Sequence, residues 1–256
     1  MKVNIIAITD PKINGIKTCE EFLGYVARVS NPSNQMNTET MPRLIKYLMK
    51  NGHWSPFELI NVTLEIETTR DIARQILRHR SFSFQEFSQR YADPTKSLGF
   101  VSREPRKQDP KNRQNSIDFD ESDVEVLGEW NKRVKNSIER AQEDYEWAVE
   151  NNIAKEQARS FLPEGLTSSR LYMAGTLRSW IHYIQTRSAN GTQKEHMEIA
   201  QLIEKELRKH FPSVFEAIDE IRNEPKAQQI VTKSIPIKKV GFFTRIKELW
   251  LKFWNW

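Results

Sequence analysis

Residues 61–90 constrain the fold more than any other part of the chain, because the spacing of their apolar residues changes twice. The run NVTLEIET reads as a strand, and the following DIARQILRHR places its apolar residues on one face of a helix. After that helix, Phe82 and Phe84 alternate with polar residues, so one side of an extended segment can pack while the other faces a ligand. A strand, a helix and a second extended segment in direct succession predict an α/β (α+β) domain.

Other patterns along the chain supply the remaining elements. The run KVNIIAI predicts an opening strand, and helices are expected at about 18–29 and 41–51. Apolar residues that recur every three or four positions predict a long amphipathic helix over 123–151 and another over about 194–209. We therefore predict a single domain with a central mixed sheet flanked by long helices.

A further helix is predicted within residues 168–187, SSRLYMAGTLRSWIHYIQTR. Its apolar residues recur at helical spacing: Leu171, Ala174, Leu177, Ile181 and Ile184. A lone histidine on a mainly apolar helix is more often a core residue than a ligand contact. Arg178 four residues before His182, and Arg187 just beyond the helix, favour a pocket around this one. The same reasoning gives no site to His53, His196 or His210.

Polar function is concentrated between positions 78 and 90, which read RHRSFSFQEFSQR. Arginine presents a planar fork of donors that binds phosphate or a pyrimidine edge through two hydrogen bonds, and three arginines with a carboxylate suit a bound nucleotide. On the predicted helix before them, Gln75, Arg78 and His79 share one face. The plainer interpretation is a solvated basic helix end. The interleaved phenylalanines favour the nucleotide site.

These residues resemble the signature of the flavin-dependent thymidylate synthases. That signature is an RHR triplet, seven residues, a serine, and an arginine two positions later, here Arg78-His79-Arg80, Ser88 and Arg90. Three further stretches match in the family's order: GHWSPFE before the triplet, and KNRQNS and LPEGLTSSRLYMAGTLRSWIHYIQTR after it. The resemblance predicts a flavin-dependent thymidylate synthase domain over 1–222, followed by a basic aromatic tail of unknown role over 223–256.

The resemblance implies a methyltransferase that converts dUMP to dTMP by reductive methylation. In that family 5,10-methylenetetrahydrofolate gives the carbon and leaves as tetrahydrofolate, while FAD reduced by NADPH supplies the hydride. It also implies the family's fold and a homotetramer in which each flavin site takes residues from several subunits. The site residues of this chain would then be one subunit's contribution to a shared pocket.

Carried over residue by residue, the resemblance implies two overlapping sets of ligand contacts. For FAD it implies Ser55, Arg78, His79, Arg80, Glu86, Thr176, Leu177, Arg178 and His182. For dUMP it implies Gln75, Ile76, Leu77, Arg78, Glu86, Phe87, Ser88, Gln89, Arg90, Arg170 and Arg187. Arg90 and Arg170 would bind the phosphate, and Arg187 would be the catalytic residue that polarises the uracil. Thr176 stands where many relatives have asparagine, and a hydroxyl cannot offer the donor and acceptor pair of an amide.

The cysteine content gives an independent view of this chemistry. Activating C5 of a uracil by adding a thiolate to C6 needs a cysteine nucleophile. The chain has one cysteine, Cys19, which is predicted to begin a helix with Thr18 and Glu21 as its capping box. We therefore expect no covalent activation by cysteine, and instead a hydride from reduced flavin with electrostatic stabilisation of the ring by Arg187. Ser88 has no evident paired base and is expected to act only as a hydrogen-bonding group.

Composition and the absence of other motifs reduce the number of protein classes to which the chain could belong. A single cysteine excludes a disulfide framework, no amino-terminal signal peptide is visible, and no apolar run approaches the ~20 residues of a membrane span, so we expect a cytoplasmic protein. HExxH, GxGxxG and a cysteine and histidine set at metal spacing are absent, so we expect neither a metal site nor a Rossmann dehydrogenase. The net charge of +5 suits anionic ligands as well as nucleic acid.

Two interpretations from other classes stay open at this stage. A nucleic-acid-binding module would use the arginine cluster on phosphates, with steep salt dependence and no chromophore. A membrane-associated interaction protein would rest on the tail, where GFFTRIKELWLKFWNW is amphipathic if helical, although packing on the protein itself is the simpler expectation. Neither explains why Gln75, Glu86 and Ser88 stand among the arginines, so we expect dUMP rather than nucleic acid as the partner.

Overall fold

The computed structural model describes residues 1–120 and 122–224. They belong to a compact unit, Met1–Ile218, and to a second unit, Asp219–Trp256, of which only the first residues are described. The amphipathic segment predicted at 241–256 therefore lies outside the described residues, as does most of the predicted tail. Among the described residues, no helix is both long and apolar enough to cross a bilayer.

The described residues form α-helices that agree in most places with the sequence periodicity. Their bounds are α1 Cys19–Ala27, α2 Met41–Lys50, α3 Arg70–Ile76, α4 Pro94–Ser97, α5 Val124–Glu150, α6 Lys155–Ala158, α7 Leu177–Arg187, α8 Lys194–Arg208 and α9 Pro212–Asn223. Short 3-10 helices occur at Pro32–Asn34, Ser55–Leu59 and Arg159–Phe161. The capping box of α1 is confirmed, because Thr18 accepts from the Glu21 backbone and Glu21 accepts from that of Thr18.

A four-stranded sheet runs through the main unit. Its strands, in spatial order, are β1 Lys2–Ile8, β2 Asn61–Thr69, β6 Ser168–Thr176 and β3 Ser83–Glu86. The prediction of a mixed sheet was wrong, because all three pairings are antiparallel. Apolar alternation shows that a segment is extended but carries no information about the direction of its partner. A separate hairpin pairs β4 Arg106–Gln108 with β5 Ser116–Asp118.

The predicted helix within 168–187 was wrong in its first half. Residues Ser168–Thr176 form the central strand β6, and Ser169, Leu171 and Met173 alternate as buried residues between its neighbours. Leu171 and Ala174 are three positions apart, as on one face of a helix, but Leu171 and Met173 are two apart, as on one face of a strand. Nine residues of pairing with β2 decide for the strand. The helix begins only at Leu177.

The junction between β6 and α7 is where the sheet meets the predicted site. A Cβ on Gly175 would lie 2.3 Å from Cδ1 of Phe82, so only glycine lets this ring pack against the strand. The Phe82 ring in turn packs edge-on against Trp180, whose Nε1 donates to the carbonyl of Val62 over 3.1 Å. These contacts fix the chain that follows the RHR triplet against β6 and α7.

Candidate active site

The arginine predicted to be catalytic is the last residue of α7 and contacts the histidine of the RHR triplet. Arg187 Nε donates to His79 Nε2 over 2.8 Å, so the ring proton of His79 is on Nδ1. The His79 ring also packs edge-on against Tyr183, with 4.8 Å between centroids. Burial, followed by the charge of Arg187, lowers the pKa of His79 to about 4. His79 is thus a neutral acceptor that fixes the guanidinium through its Nε edge.

Gln75, in the last turn of α3, is held by residues at the start of α8. Its Nε2 donates to Gln193 Oε1 over 2.7 Å, and its Oε1 lies 3.3 Å from His196 Nδ1. His196 is fully buried, and its Nε2 lies 2.9 Å from the Tyr183 hydroxyl. The sequence analysis gave His196 no site, and it lies 121 positions from the predicted dUMP residue that it contacts. Local sequence patterns do not connect residues so far apart.

Glu86 ends β3, where two residues that the sequence analysis did not single out hold its carboxylate. Ser169 Oγ donates to Glu86 Oε1 over 2.8 Å, and Arg70 Nη1 lies 3.4 Å from the same oxygen. Arg70 is the buried first residue of α3. Glu86 and Gln75 therefore lie towards opposite ends of this short helix. Ser169 also lines a cavity of about 400 Å³, together with Thr68.

The two arginines predicted to bind phosphate are each paired with a carboxylate of this chain. Arg170 lies opposite Glu67 across the β2–β6 pairing and donates to it over 2.5 and 2.9 Å. The hydrogen bond from Arg170 is the main reason why the pKa of Glu67 lies below its usual value. Arg90 Nε lies 3.2 Å from Glu156. Both guanidiniums are partly exposed, so an incoming anion can exchange with these carboxylates.

A second cavity, of about 380 Å³, opens between the 3-10 helix Ser55–Leu59 and α7. Two predicted flavin residues line it, and its full lining is Trp54, Glu58, Ser81, Arg178, Ser179, Ile181, His182 and Gln185. Glu58 organises one wall, because it accepts from Arg178 Nη1 over 2.6 Å and from the Thr176 hydroxyl over 2.7 Å. These hydrogen bonds lower the pKa of Glu58, and the one from Thr176 has the largest effect.

Thr176 is the N-cap of α7. Its Oγ1 accepts from the backbone nitrogen of Ser179 over 3.3 Å and donates to Glu58. The hydroxyl also lies 3.1 Å from Ser179 Oγ, so it has three hydrogen-bond partners within the chain. The structure gives Thr176 a capping role and a role in placing Glu58, neither of which the sequence analysis assigned.

The remaining predicted residues differ in their exposure. Ser55, Arg78, Arg80 and His182 are exposed, whereas Leu77, Phe87 and Ser88 are half-buried. Ile76 and Leu177 are fully buried, so their side chains contribute packing. Gln89 is 4% exposed, and within the described part of the chain its Nε2 has no hydrogen-bond partner.

Within one chain the predicted residues form three groups. The first is the network of Gln75, His79 and Arg187 between α3, α7 and α8. The second lies along β3 and the turn after it, from Glu86 to Arg90, with Arg170 beside it on β6. The third lines the cavity that contains Arg178 and His182. RHR residues Arg78 and Arg80 project from the connection between the first and second groups.

The donors present suit an anionic dinucleotide better than a metal ion. Among residues 1–120 and 122–224, no group of three or more histidine, cysteine, aspartate or glutamate side chains is arranged to hold a metal. The cavity of the third group combines the cation Arg178, the imidazole of His182 and the indole of Trp54, which are groups that bind phosphate and stack on flat rings. These residues therefore fit a flavin nucleotide.

Comparison with known proteins gives consistent matches. The family model described as thymidylate synthase complementing protein matches residues 14–213. A probable flavin-dependent thymidylate synthase of Paramecium bursaria Chlorella virus 1 is 45% identical over 219 residues, which are 86% of this chain and 99% of that protein. A flavin-dependent thymidylate synthase of Synechocystis is 47% identical over 224 residues, which are 86% of this chain and 100% of that protein.

Solved structures share the fold. A UMP/dUMP methylase, PolB, from Streptomyces cacaoi bound with 5-Br dUMP superposes with a TM-score of 0.69 at 24% identity, over 86% of this chain and 94% of that one. The same enzyme bound with 5-Br UMP gives a TM-score of 0.68 at 25% identity, over 86% and 93% of the two chains. With the family model matching most of its length and two relatives above 40% identity, this chain belongs to the flavin-dependent thymidylate synthase family.

Proposed function

We propose that this chain catalyses the reductive methylation of dUMP to dTMP, with 5,10-methylenetetrahydrofolate as carbon donor, NADPH as reductant and FAD as cofactor. The contact between Arg187 and His79 carries the proposal, because it joins the residue proposed to polarise the uracil to one proposed to bind the flavin. Relatives that are named flavin-dependent thymidylate synthases, at 45% and 47% identity, support the same reaction.

Arg187 is proposed as the catalytic residue. His79 engages its Nε, and within the described residues its two terminal nitrogens make no hydrogen bond, so they can meet a uracil oxygen. A fixed positive charge there stabilises negative charge that develops on the ring before the new carbon bond forms at C5. Removing one preorganised donor of this kind costs about 3 to 4 kcal/mol of transition-state stabilisation in other enzymes.

The only cysteine of the sequence supports a route without thiolate addition. Cys19 is 8% exposed, and its Sγ donates to the carbonyl of Thr9 over 2.8 Å. Burial, followed by the charges of Asp10 and Glu20, raises the pKa of the thiol. A buried thiol that stays protonated is a poor nucleophile. Bound FAD would supply the reducing chemistry, because a reduced flavin transfers a hydride.

The third group is proposed to hold the flavin. Glu58 orients Arg178 towards the cavity through a 2.6 Å contact, which leaves the outer edge of the guanidinium available for a phosphate. His182 is exposed and lines the same cavity, to which the indole of Trp54 contributes a flat apolar surface. Ser55, next to Trp54, and the two arginines of the RHR triplet are proposed as further flavin contacts.

We propose that Arg90 and Arg170 bind the phosphate of dUMP by exchanging their present carboxylate partners for it. The two ion pairs, with Glu156 and Glu67, are partly exposed, and exposed ion pairs contribute only about 0 to 1 kcal/mol. A dianionic phosphate met by two arginines can displace them. Because neither of the two cavities described above is lined by residues of all three groups, we also propose that each site is completed in a homotetramer, with subunits sharing residues.

We propose residues 1–222 as the catalytic domain and 223–256 as a basic aromatic tail outside it. The family match ends at residue 213, and the compact unit ends at Ile218. Every residue proposed for dUMP or FAD lies before these limits. Removing 223–256 and measuring turnover of the remaining chain tests this boundary, because a tail outside the catalytic domain leaves dTMP formation intact.

The deciding experiment for the reaction starts with the visible spectrum of the purified chain, before and after added FAD. NADPH is then added anaerobically with and without dUMP, and dTMP is measured after 5,10-methylenetetrahydrofolate is supplied. We expect flavin bands that bleach faster with dUMP, and dTMP in amounts that follow the flavin content. UMP is assayed in parallel, because the solved relative is named a UMP/dUMP methylase.

Two results would contradict the proposal. A colourless protein that takes up no added FAD would remove the redox half of the reaction. Flavin bands that bleach with NADPH but yield no dTMP, at saturating dUMP and 5,10-methylenetetrahydrofolate, would indicate an enzyme that reduces its flavin and passes the electrons to another acceptor. Steeply salt-dependent DNA binding by a colourless protein would instead support the nucleic-acid interpretation of the arginine cluster.

A further inference from the structure

A line of hydrogen bonds that no ligand assignment explains passes through the Gln75 amide. It begins at a fully buried tyrosine of α7, passes through the buried histidine of α8 and crosses to α3 before it returns to α8. Its members in order are Tyr183, His196, Gln75, Gln193 and Glu195. The distances along it are 2.9, 3.3, 2.7 and 2.9 Å. Only Gln75 among these residues is proposed to contact a ligand.

The acceptor at the end of the line fixes the direction of its bonds. Arg106 Nη2 donates to both oxygens of Glu195, over 2.9 and 3.1 Å. Burial alone would raise the pKa of Glu195, but hydrogen bonds from its own backbone and from Gln193, with the charge of Arg106, hold it below its usual value. A carboxylate only accepts, so Gln193 turns its amide nitrogen to Glu195 and its carbonyl oxygen to Gln75.

The orientation of Gln75 follows from that of Gln193. Its nitrogen faces the Gln193 oxygen, so its own oxygen faces His196, which must donate from Nδ1. His196 then accepts from the Tyr183 hydroxyl at Nε2. Burial lowers the pKa of His196 to about 3 and raises that of Tyr183, so the histidine is neutral and the tyrosine keeps its proton. All four hydrogen bonds can therefore form together only if each residue donates to the next one along the line, from Tyr183 to Glu195.

We propose that His196 is a positioning residue that fixes the Gln75 amide in one orientation and so makes the site select uracil over cytosine. The proposal rests on the proposed function, in which Gln75 contacts dUMP. It assigns that contact to the pyrimidine because the His196 ring lies 6.3 Å from the ring of His79, which holds the arginine proposed to meet a uracil oxygen. Within the described residues, one N–H and one oxygen lone pair of Gln75 are engaged, and one of each is left for a ligand.

The two pyrimidines demand opposite orientations of this amide. Uracil presents a donor, N3–H, beside an acceptor, O4, whereas cytosine presents an acceptor, N3, beside an amino donor. Rotating an amide by 180° exchanges its oxygen and nitrogen and would convert one specificity into the other. His196 and Gln193 oppose that rotation, because it would place nitrogen against a donor and oxygen against a carbonyl.

The test compares two substitutions of His196 in the full-length, flavin-loaded protein. His196→Leu removes the donor to Gln75, whereas the side-chain nitrogen of His196→Asn stands near the position of Nδ1 and restores it. Dissociation constants for dUMP and dCMP are measured by equilibrium dialysis, and flavin content by absorbance. For His196→Leu we expect about a tenfold weaker dUMP complex, a dCMP to dUMP preference ratio changed by at least about tenfold, and unchanged flavin content. His196→Asn should stay within about threefold of the wild type.

The other possible results contradict either the positioning role of His196 or the proposed function itself. Unchanged pyrimidine selectivity in His196→Leu, or equal impairment of the leucine and asparagine variants, overturns the positioning role. Wild-type protein that binds no dUMP overturns the proposed function itself, and this inference with it. Should His196→Leu fail to fold, His196→Ala removes the same donor to Gln75 with a smaller side chain. Unchanged pyrimidine selectivity in that variant would equally overturn the proposal.

Discussion

Arg187 donates through Nε to Nε2 of His79 over 2.8 Å, which ties the end of α7 to the segment that follows α3. The bond uses the Nε–H group and leaves the N–H groups of the two terminal nitrogens for a ligand. His79 can accept only while it is neutral, and burial holds it neutral. The orientation of the proposed catalytic arginine thus depends on a histidine of the RHR triplet.

We expect Arg187→Ala to lose turnover while it still binds flavin. Loss of one preorganised donor predicts about a 10² to 10³-fold lower kcat. Flavin content should be unchanged, because the proposed flavin cavity is lined by other residues. Single-turnover dTMP formation and the visible spectrum measure the two quantities. Purification of Arg187→Ala as a flavin-free protein would show that its role is in cofactor binding instead.

Arg187→Lys is the matched control for charge. Lysine keeps the positive charge but lacks the planar fork that donates to His79 while presenting two further nitrogens. A lysine variant as slow as the alanine variant would mean that orientation matters more than charge. Recovery to near wild-type kcat would mean that charge alone suffices.

Cys19→Ala should retain turnover. The thiol is buried, donates to Thr9 and has a raised pKa, so nothing in its surroundings prepares it for attack on a pyrimidine. We expect kcat within about twofold of the wild type, with a stability loss of about 1 kcal/mol from the removed sulfur contacts. Steady-state dTMP formation and urea unfolding measure these. Loss of dTMP formation in a folded, flavin-loaded Cys19→Ala protein would reinstate a covalent route.

The elements that the sequence predicted well are those whose signal is local. The capping box of α1 and the long apolar stripe of α5 each depend on residues within a few positions, and both are present in the structure. The strand Ser168–Thr176 was predicted as a helix because its apolar spacing suits both, and the deciding partners on β2 lie about a hundred residues earlier. Strand direction was missed for the same reason.

The same distinction applies to the candidate site. The RHR segment could be predicted as a site because its polar residues are contiguous in the chain. Arg70, Glu58 and His196 could not be predicted as site residues. Each acts through a hydrogen bond to a partner 16 to 121 positions away in the sequence, which only the fold brings near. The residues proposed to contact the ligands could thus be identified in the sequence, whereas the residues that orient them could not.

Stability should fall between about pH 6.5 and pH 3 because of two histidines. The pKa values of His79 and His196 are lowered to about 4 and about 3, in both cases chiefly by burial, from an unfolded value near 6.5. Below pH 6.5 the unfolded chain binds protons that the folded chain does not, so stabilisation present above pH 6.5 is lost as pH falls through 4. The urea concentration at the midpoint of unfolding, measured from pH 7 to pH 4, should fall more steeply with decreasing pH for the wild type than for His196→Asn. Parallel curves would contradict this assignment.

Thr176→Val should destabilise the protein by about 1 to 2 kcal/mol, because it removes the N-cap of α7 and the hydrogen bond to Glu58. Thr176→Asn keeps a capping oxygen, so its free energy of unfolding should lie within about 0.5 kcal/mol of that of the wild type. Urea unfolding measures both. Since Glu58 also holds Arg178, flavin retention should fall in the valine variant alone. A valine variant as stable as the wild type would show that the cap contributes nothing.

Gly175→Ala should destabilise the protein by about 1 to 3 kcal/mol, because the new methyl would lie 2.3 Å from the Phe82 ring. The ring cannot retreat easily, since it also packs against Trp180. Gly128→Ala is the matched control, because no heavy atom lies within 4 Å of its added Cβ, and it should gain up to about 1 kcal/mol from helix propensity. In the double variant Phe82→Ala, Gly175→Ala the clash is absent, so the two losses should be less than additive. If the two losses of unfolding free energy add fully in urea unfolding, the need for glycine at position 175 does not come from its contact with Phe82.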